Sequence, residues 1–433
     1  MANCTSADHD HALEPECSSR RLFLRHGAAA ILSLGFAPSF VARIAAETPA
    51  RRKLLIVVFQ RGAVDGLNMV VPYGDADYYR ARPSIAIAKP GGADSAIALD
   101  GFFGLHPRMA AFKPLWDRHE LAIVHATGSH DITRSHFDAQ DYMESATPGI
   151  KSTPDGWLNR YLQQGSGNRD QGSGGNPLRG IALTRQMPRS LQGPAPALAI
   201  GSTEDFTVAD MSARTSFEEI YAAAQQDKAL RGTAGEAFDA MKTLASKTQG
   251  TYQPANGAAY PRSPFGQAMQ EIARLAKSDV GLEIAFAEST QWDHHVNEGA
   301  ATGQIANRLD DFSRGVAALA QDLGDRMADT VILTMSEFGR AVQENGSRGT
   351  DHGHGNAMFV IGGSVKGGEV YGRWPGLSPE QRHEGRDLAV TTDFRDVFAE
   401  VVTRHLGAEP STAAKVFPNY AIDTAKFRGI LRG

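Results

Sequence analysis

Cysteine and long apolar runs are both scarce in this sequence. The chain has 433 residues and 2 cysteines, Cys4 and Cys17, which lie close together near its N-terminus. Disulfide bonds therefore cannot link the remaining, much larger part of the chain. A helix that crosses a bilayer needs about 20 apolar residues, and no such run follows the N-terminal segment. We therefore expect no stable membrane span in the mature protein.

An excess of positive charge is missing as well. Lys and Arg together number 44 against 49 for Asp and Glu, which gives a formal net charge of -5 at pH 7. Proteins that bind nucleic acids without sequence preference neutralise phosphates with an excess of basic side chains. The composition therefore excludes a general nucleic-acid binder, and we expect no nucleic-acid partner.

The N-terminal segment has the pattern of an export signal. Residues 19–24 read SRRLFL, which resembles the twin-arginine motif of bacterial export signals, and a moderately apolar stretch follows from Gly27 to about Ala42. Small residues near 42–46 suit cleavage. We interpret residues 1–46 as a twin-arginine signal segment; a membrane anchor or a chance arginine pair is the alternative. The signal predicts a periplasmic or secreted protein that meets the twin-arginine translocase during export.

Apolar runs and amphipathic stretches alternate along the rest of the chain. Runs typical of strands buried on both faces occur at residues 54–59, 121–126, 180–184, 282–287, 329–335 and 357–363. Stretches with apolar residues at helical spacing occur at residues 107–116, 135–144, 265–277 and 305–323. This alternation predicts an α/β fold in which helices cover a mostly parallel sheet.

The domain organisation follows from the same pattern. Two stretches, near residues 165–176 and 246–264, are rich in Gly, Ser, Asn and Pro and are typical of exposed loops. Neither has the composition of a boundary between domains, and the sequence contains no internal repeat. We therefore expect one large domain over residues 47–433 with loop insertions at these two places.

Polar clusters follow four of the predicted strands. They read RGAVDGLN after the first strand, TGSHDITRSHFDAQD after the second, STQWDHHVN after the fourth and SEFGR after the fifth. In open parallel α/β sheets, ligands bind outside the carboxyl ends of the strands. We therefore expect the four clusters to converge at one edge of the sheet.

Two histidine-rich motifs offer metal ligands. In WDHHVN, residues i and i+2 of an extended segment point the same way, so Asp293 and His295 can share one ion while His294 turns away. The motif GTDHGHGN places Asp351 and His352 among glycines, directly before an apolar run. Carboxylate and imidazole ligands together suit zinc, manganese or iron. The alternatives are a histidine-rich loop and a polar turn into a strand.

Other polar residues in the clusters are candidates for catalysis. Ser135 begins a helical pattern, so its hydroxyl either caps the helix or attacks a phosphoryl or sulfuryl group that the helix N-terminus favours. His136 beside it supplies charge. Arg340 in SEFGR is a candidate anion clamp, and Glu337 and Asp65 are further candidate metal ligands.

Taken together, these motifs resemble one family. The export signal, FQRGAVDGLN, GLHPRM, TRSHFDAQD, WDHHVN, SEFGR and GTDHGHGNAMFVIGG occur in the order seen in the domain-of-unknown-function 1501 family of exported bacterial proteins. The likeness runs from about Lys53 to the C-terminus. The family is grouped with the alkaline phosphatase and sulfatase-like superfamily. That grouping implies a three-layer α/β/α sandwich, metal ligands at the strand ends, a divalent metal ion such as zinc or manganese, and an anionic ester substrate.

The superfamily pattern implies roles for several residues. Its Asp-x-x-x-His metal pair resembles Asp293 and His295 with shorter spacing, and its late histidine, which precedes a strand, resembles His352. Asp351 is the neighbour of that histidine. The nucleophile position of the superfamily falls near Ser135.

Other parts of the superfamily pattern are not matched. Its strand-end Asp-His pair falls on Glu337 and Phe338, and a phenylalanine cannot bind a metal. The aspartate of its first strand has no direct counterpart, because Gln60 and Arg61 stand there and Asp65 comes later. The C/S-x-P-x-R motif of sulfatases that carry formylglycine is absent.

Two functions of different classes follow from these patterns. One is an exported metal-dependent hydrolase of a phosphate, sulfate or related ester, with a small-molecule or glycan substrate. The alternative is a non-catalytic exported protein that keeps the hydrolase fold and binds a ligand or a partner. The grouping of Asp293, His295, Glu337 and His352 favours the enzyme, and Phe338 favours the alternative.

Overall fold

A mostly parallel β-sheet forms the centre of the fold. The computed structural model describes residues 52–164, 176–201, 240 and 243–432. Within these residues the strands are β1 (Leu54–Gln60), β2 (Val70–Val71), β3 (Ile97–Ala98), β4 (Gly104–Leu105), β5 (Leu121–Gly128), β6 (Gly180–Ala182), β7 (Leu198–Ala199), β8 (Ile284–Ser289), β9 (Thr330–Met335), β10 (Asn356–Gly362), β11 (Glu369–Tyr371) and β12 (Thr392–Asp393).

The large sheet has the strand order β11-β5-β10-β9-β1-β8-β6-β7, and β12 also pairs with β5. Its central strand β1 is parallel to both β8 and β9, with Val57 opposite Phe286 and Leu333. Strand β10 is the exception, because it runs antiparallel to both β5 and β9. A smaller antiparallel sheet has the order β2-β4-β3.

Helices connect the strands. The α-helices are α1 (Gly66–Met69), α2 (Ala76–Ala81), α3 (Lys113–Asp117), α4 (His136–Ser145), α5 (Trp157–Gln163), α6 (Pro264–Lys277), α7 (Gln304–Leu323), α8 (Phe394–Glu400) and α9 (Pro410–Val416). Short 3-10 turns lie at Pro107–Phe112, Pro177–Arg179, Arg189–Leu191, Gly324–Asp329, Pro379–Gln381 and Thr424–Lys426, and a π turn at Val401–His405 extends α8.

Both faces of the large sheet are covered. On one face Trp157 of α5 stacks on Phe398 of α8, with ring centroids 4.7 Å apart, in a core that includes Met358 of β10. The next residue along β10, Phe359, points the other way and contacts Phe112 at 5.2 Å, because successive side chains alternate across a strand. The fold is therefore a three-layer α/β/α sandwich, which confirms the predicted fold class.

The predicted elements agree well with the structure. Each of the six predicted strands and three of the four predicted helices is present with bounds that shift by only a few residues. The stretch predicted as a helix over residues 107–116 is a 3-10 turn followed by the short helix α3. The signal segment and residues 165–175 lie outside the described residues, so the domain organisation stays a prediction. Among the described residues, no helix combines the length and apolarity that crossing a bilayer requires.

Candidate metal centre

The polar clusters that follow the strands converge, as predicted, at one edge of the sheet. The backbone N–H of Gly62, after β1, donates to Glu337 Oε1, after β9, at 2.8 Å. His136 Nδ1, at the start of α4 after β5, lies 2.8 Å from the same oxygen. Asp293, after β8, accepts from Arg340 Nη2 at 2.6 Å. Four segments that are distant in sequence therefore meet in one group of contacting side chains.

The antiparallel direction of β10 explains why the motif GTDHGHGN precedes its strand. The parallel strands end at this edge of the sheet, whereas β10 begins there. Residues immediately before β10 therefore lie beside residues that follow β1, β8 and β9. His352 reaches the same site from this direction.

The glycines of this motif allow backbones to approach one another. A Cβ atom on Gly349 would lie 2.3 Å from the carbonyl oxygen of His295, and one on Gly353 would lie 2.3 Å from the carbonyl carbon of Arg340. Real Cβ atoms essentially never come this close to other atoms. The motif is therefore rich in glycine because two other segments pack directly against it.

Three imidazoles surround one carboxylate oxygen. Asp293 Oδ1 lies 3.0 Å from His295 Nε2, 3.3 Å from His352 Nε2 and 3.4 Å from His136 Nε2. The ligand atoms of His136, Asp293 and His352 all lie within 4.8 Å of one another. Such a set can hold one metal ion, and no other group of this kind occurs among the described residues.

The other nitrogen of each imidazole faces an oxygen acceptor. Nδ1 of His136 faces Glu337 at 2.8 Å, Nδ1 of His295 faces Asp351 at 3.2 Å, and Nδ1 of His352 faces the carbonyl of Arg134 at 2.8 Å. Carbonyl and carboxylate oxygens accept hydrogen bonds, and a proton on each Nδ1 leaves each Nε2 able to bind a metal. This arrangement is typical of metal-binding histidines, whose remaining N–H is fixed by an oxygen.

The Nε2 atoms of these rings lie close enough to one another to share a proton or a metal cation. His295 Nε2 lies 2.9 Å from His352 Nε2 and 3.0 Å from Asp293 Oδ1. His136 Nε2 is buried and makes no hydrogen bond within the described structure. A cation bound next to Asp293 would give His136 Nε2 a partner. His136, Asp293 and His352 therefore fit one divalent cation, and His295 lies beside them. Imidazole and carboxylate ligands together suit zinc, manganese or iron.

Glu337 supports the site rather than facing the ligand atoms. Burial raises the pKa of its carboxyl, but hydrogen bonds from His136, Gln140 and the backbone N–H of Gly62 outweigh burial and lower the pKa below its usual value. The sequence predicts Glu337 as a metal ligand; in the structure its Oε1 accepts those three hydrogen bonds and orients His136. The hydrogen bond to Glu337 in turn raises the pKa of His136.

Arg340 is a structural cation. The sequence predicts an anion clamp, but the buried guanidinium donates to the carbonyls of Ala63, Thr350 and Trp292 as well as to Asp293. Burial raises the pKa of the Asp293 carboxyl, but Arg340 and the neighbouring histidines outweigh it and hold the pKa at about 2. Arg340 therefore joins segments and keeps Asp293 ionised, and its donors are not available to a substrate.

Asp65 does not belong to the centre. It caps α1 by accepting from the N–H of Leu67 and forms a buried ion pair with Arg82, whose Nη2 lies 3.0 Å from Asp65 Oδ1. Burial raises the pKa of Asp65, but Arg82 outweighs it and lowers the pKa below its usual value. The prediction of Asp65 as a metal ligand is therefore replaced by a structural role.

The remaining predicted residues lie around the centre. Ser135 occupies the N-cap position of α4, but its hydroxyl makes no capping hydrogen bond. His136, predicted beside Ser135 as a catalytic group, instead points its Nε2 at Asp293. Asp351 contacts the far side of His295, and His294 turns away and is buried, which lowers its pKa to about 4.

Gln140 is a contributor that the sequence reasoning missed. Its amide Nε2 donates to Glu337 Oε1 at 2.8 Å. Positions 136 and 140 are four residues apart on α4, which places both side chains on the same face of the helix. That spacing is the signal in the sequence by which Gln140 could have been found.

The fold and the site together define a class: an α/β/α sandwich protein with a candidate metal centre at the strand ends. The family model described as "Protein of unknown function (DUF1501)" matches residues 52–410, and the chain therefore belongs to this family. A solved structure, the PsFucS1 sulfatase from Pseudoalteromonas sp., is similar at 13% identity and a TM-score of 0.39, with 94% of this chain and 75% of that chain covered. No curated protein matches the sequence of this chain.

Proposed function

We propose that this protein is a metal-dependent hydrolase of phosphate, sulfate or related esters. His136, Asp293, His295 and His352 would hold one divalent cation. The observation that carries the proposal is that one ligand atom each of His136, Asp293 and His352 lies within 4.8 Å of the other two, while Nδ1 of both histidines faces an oxygen acceptor. Three ligand atoms at this spacing can share one divalent cation.

A divalent cation supplies charge that polarises an anionic ester. The chain's own residues orient the ligands: Glu337 fixes the ring of His136, Asp351 fixes that of His295, and the carbonyl of Arg134 fixes that of His352. Arg340 keeps Asp293 ionised, which preserves a negative ligand. The hydroxyl of Ser135 is not used in capping α4, so it is available as a nucleophile next to His136.

One metal ion fits better than two. Phe338 is buried where a second site would need a ligand, and its ring packs 5.0 Å from those of both His136 and His352. An apolar ring offers no donor atom to a cation. A hydrolase of this kind would therefore use a single ion together with the side chains around it.

Elemental analysis of the purified full chain tests the metal centre directly. We expect about one zinc, manganese or iron per chain and loss of that metal in His352→Ala. His130→Ala is the matched control, because His130 is largely exposed and lies 3.8 Å from Asp393, outside the candidate ligand set. Equal metal content in the wild type and in folded His352→Ala would refute the metal centre.

Hydrolysis is tested separately with aryl phosphate and aryl sulfate esters. We expect the metal-loaded protein to release the phenol, and we expect a chelator to stop the release. A protein that holds its metal but hydrolyses neither ester, nor a sugar ester of the same anions, would refute the hydrolase.

A binding protein without catalysis is the second candidate, and one observation favours it. Arg340 Nη2 lies 2.6 Å from Asp293 Oδ1, the oxygen that faces the three imidazoles, so Arg340 would compete with a cation for this oxygen. A metal ion held weakly for this reason would favour a protein that binds an anionic ligand without hydrolysing it. Tight binding of sulfate or phosphate, without hydrolysis of any ester of these anions, would support this candidate.

We also propose that the protein is exported to the periplasm or secreted through the twin-arginine route. The support is the motif SRRLFL at residues 19–24, followed by a moderately apolar stretch. Replacing both Arg20 and Arg21 with Lys should leave unprocessed precursor in the cytoplasm. Normal accumulation of the double variant in the periplasm would refute this route.

A further inference from the structure

Two neighbouring cavities lie beside the candidate metal centre. The first has a volume of about 480 Å³ and is lined by Gln291, Asp293, His294, Gln304, Asn307 and Arg308. The second has a volume of about 710 Å³ and shares Gln291 and Arg308 with the first. Arg308 therefore borders the cavity that contains the ligand carboxylate and also the larger cavity next to it.

Two of the four arginines around the larger cavity are already paired. Arg61 lies 2.7 Å from both Glu144 and Glu288, and Arg189 lies 2.8 Å from Asp141. These arginines hold the wall together. Neither the Arg185 nor the Arg308 guanidinium forms an ion pair or hydrogen bond with any residue that the structure describes. Arg308 is the one of the two that is partly buried and that also lines the smaller cavity. A partly buried guanidinium without a partner favours an anionic ligand.

A second polar group in the smaller cavity also lacks a partner. His294 lines this cavity with only 5% of its surface exposed, and its buried Nδ1 makes no hydrogen bond within the described structure. Buried polar atoms are normally hydrogen-bonded. Gln304 and Asn307 come from the first turn of the 20-residue helix α7, and the N-terminal end of a helix favours negative charge. Arg308, His294 and the start of α7 thus make one wall of the cavity suitable for an anion.

The backbone at the junction of the cavities is unusual. Gln291, which lines both, has a φ of 70°. Residues other than glycine, asparagine and aspartate rarely adopt this left-handed conformation, and such residues cluster at binding sites. Gln291 therefore lies at the junction of the two cavities.

The larger cavity has the size and lining of a site for a polar leaving group. Its walls include Thr184, Gln186, Thr290 and Gln291, which offer hydroxyl and amide groups. Ligand pockets commonly measure about 300–1,000 Å³, so a volume of about 710 Å³ exceeds what a small aryl group fills. Hydroxyl and amide walls suit hydrogen bonding to a hydroxyl-rich group.

We propose that Arg308 binds the anionic group of the ester next to the metal centre, and that a hydroxyl-rich leaving group such as a sugar occupies the larger cavity. This inference rests on the proposed hydrolase function for its second part. Its first part, the anion site at Arg308, can be tested without any turnover.

Titration calorimetry with inorganic sulfate and inorganic phosphate tests the anion site on the metal-loaded full chain. Loss of a charged donor typically weakens such binding roughly 10–100-fold, so we expect this loss in Arg308→Gln and a smaller one in Arg308→Lys. Arg314→Gln is the control, because Arg314 lies on the same helix and pairs only with Asp310 at 3.3 Å. Unchanged affinity in Arg308→Gln, or no binding of either anion by the wild type, would overturn the site.

The leaving-group part is tested by comparing two substrates. We expect Gln186→Ala to lower kcat/KM for a sugar phosphate or sugar sulfate ester more than for the matching aryl ester. Equal effects on the two substrates would overturn the assignment of the larger cavity.

If no ester is hydrolysed but anion binding depends on Arg308, the hydrolase function and the leaving-group assignment fail while the anion site stands. If esters are hydrolysed equally by Arg308→Gln, the anion site fails and the hydrolase stands.

Discussion

His295 Nε2 lies 2.9 Å from His352 Nε2, and the two residues come from segments that the chain brings together from opposite directions. His295 follows β8 at its carboxyl end, whereas His352 precedes the antiparallel strand β10. The backbones of the two segments are also in contact, because the N–H of Thr350 donates to the carbonyl of His294 at 3.0 Å. The separation of the two imidazoles therefore depends on how closely these segments pack.

Gly349 sets that packing, and its replacement should disturb the centre. A Cβ atom there would lie 2.3 Å from the carbonyl oxygen of His295, so Gly349→Ala must push the two segments apart. We expect weaker metal binding, measured by competition with a chromogenic chelator. Gly346→Ala is the matched control, because a Cβ atom at Gly346 meets no atom within 4 Å. Equal metal affinity in the two variants would contradict the role of Gly349.

Glu337 should matter for metal affinity although it is not a ligand. Its Oε1 accepts from His136 Nδ1 at 2.8 Å and fixes which nitrogen of His136 presents a lone pair. Removing such a partner typically costs 10–100-fold in metal affinity, so we expect roughly that loss in Glu337→Gln. Glu120→Gln is the control, because Glu120 forms an ion pair with Arg118 and lies away from the site. Identical affinities of Glu337→Gln and the wild type would show that His136 is oriented by other contacts.

Asp65 should affect stability and not metal content. It is 1% exposed and pairs with the fully buried Arg82, so Asp65→Ala leaves an unpaired buried cation. Breaking a buried ion pair in this way costs about 3–5 kcal/mol, which chemical denaturation measures. Asp65→Asn keeps the cap and some hydrogen bonding, so it should lose less. A folded Asp65→Asn protein without metal would restore Asp65 as a candidate ligand.

The strands and the convergence of the polar clusters that follow them could be predicted, because both depend on short stretches of sequence. The run at residues 54–59 is apolar throughout, and β1 is buried along its whole length between β8 and β9. Polar residues after such runs lie at the carboxyl edge whatever the details of the loops. The candidate ligands Asp293 and His295 were found in this way, whereas His352 was found from its motif before an apolar run.

Roles that depend on distant partners could not be predicted. An apolar run that is buried on both faces does not encode its direction, so the antiparallel course of β10 was not visible. The partners of Arg340 are mainly backbone carbonyls of Ala63, Thr350 and Trp292, and every residue has such a carbonyl. For the same reason the acceptor for His352, the carbonyl of Arg134, has no signature in the sequence.

Ser135 should contribute little to the stability of α4, and its hydroxyl should be important for ester turnover. It stands at the N-cap position of α4 without a capping hydrogen bond, so Ser135→Ala should change the free energy of unfolding by less than about 0.5 kcal/mol. Under the proposed function we expect the same variant to lose ester turnover while it keeps its metal. Ser263→Ala is the control, because Ser263 caps α6 by accepting from the N–H of Gly266 at 3.0 Å and should cost about 1 kcal/mol. Retained turnover in Ser135→Ala would assign the attack to water.

His125 should make the fold less stable in acid. Its Nδ1 accepts from the N–H of Ala126 at 2.9 Å and its Nε2 lies 3.1 Å from the carbonyl of Val70, so the ring must stay neutral. Burial lowers the pKa of His125 from 6.5 to about 4. The unfolded chain therefore binds the proton more readily than the folded chain does. The contribution of neutral His125 to the free energy of unfolding is present above about pH 6.5 and is lost as the pH falls towards about 4.

The shift of the His125 pKa corresponds to a loss on the order of 3 kcal/mol across that range. His125→Gln tests it, because glutamine can donate to Val70 and accept from Ala126 without titrating. We expect the difference in unfolding free energy between the wild type and His125→Gln to shrink as the pH falls from about 6.5 to about 4. Denaturant titrations at a series of pH values measure this difference, and other titrating histidines cancel because they are common to both proteins. Parallel curves for the two proteins would show that His125 does not control the acid sensitivity of the fold.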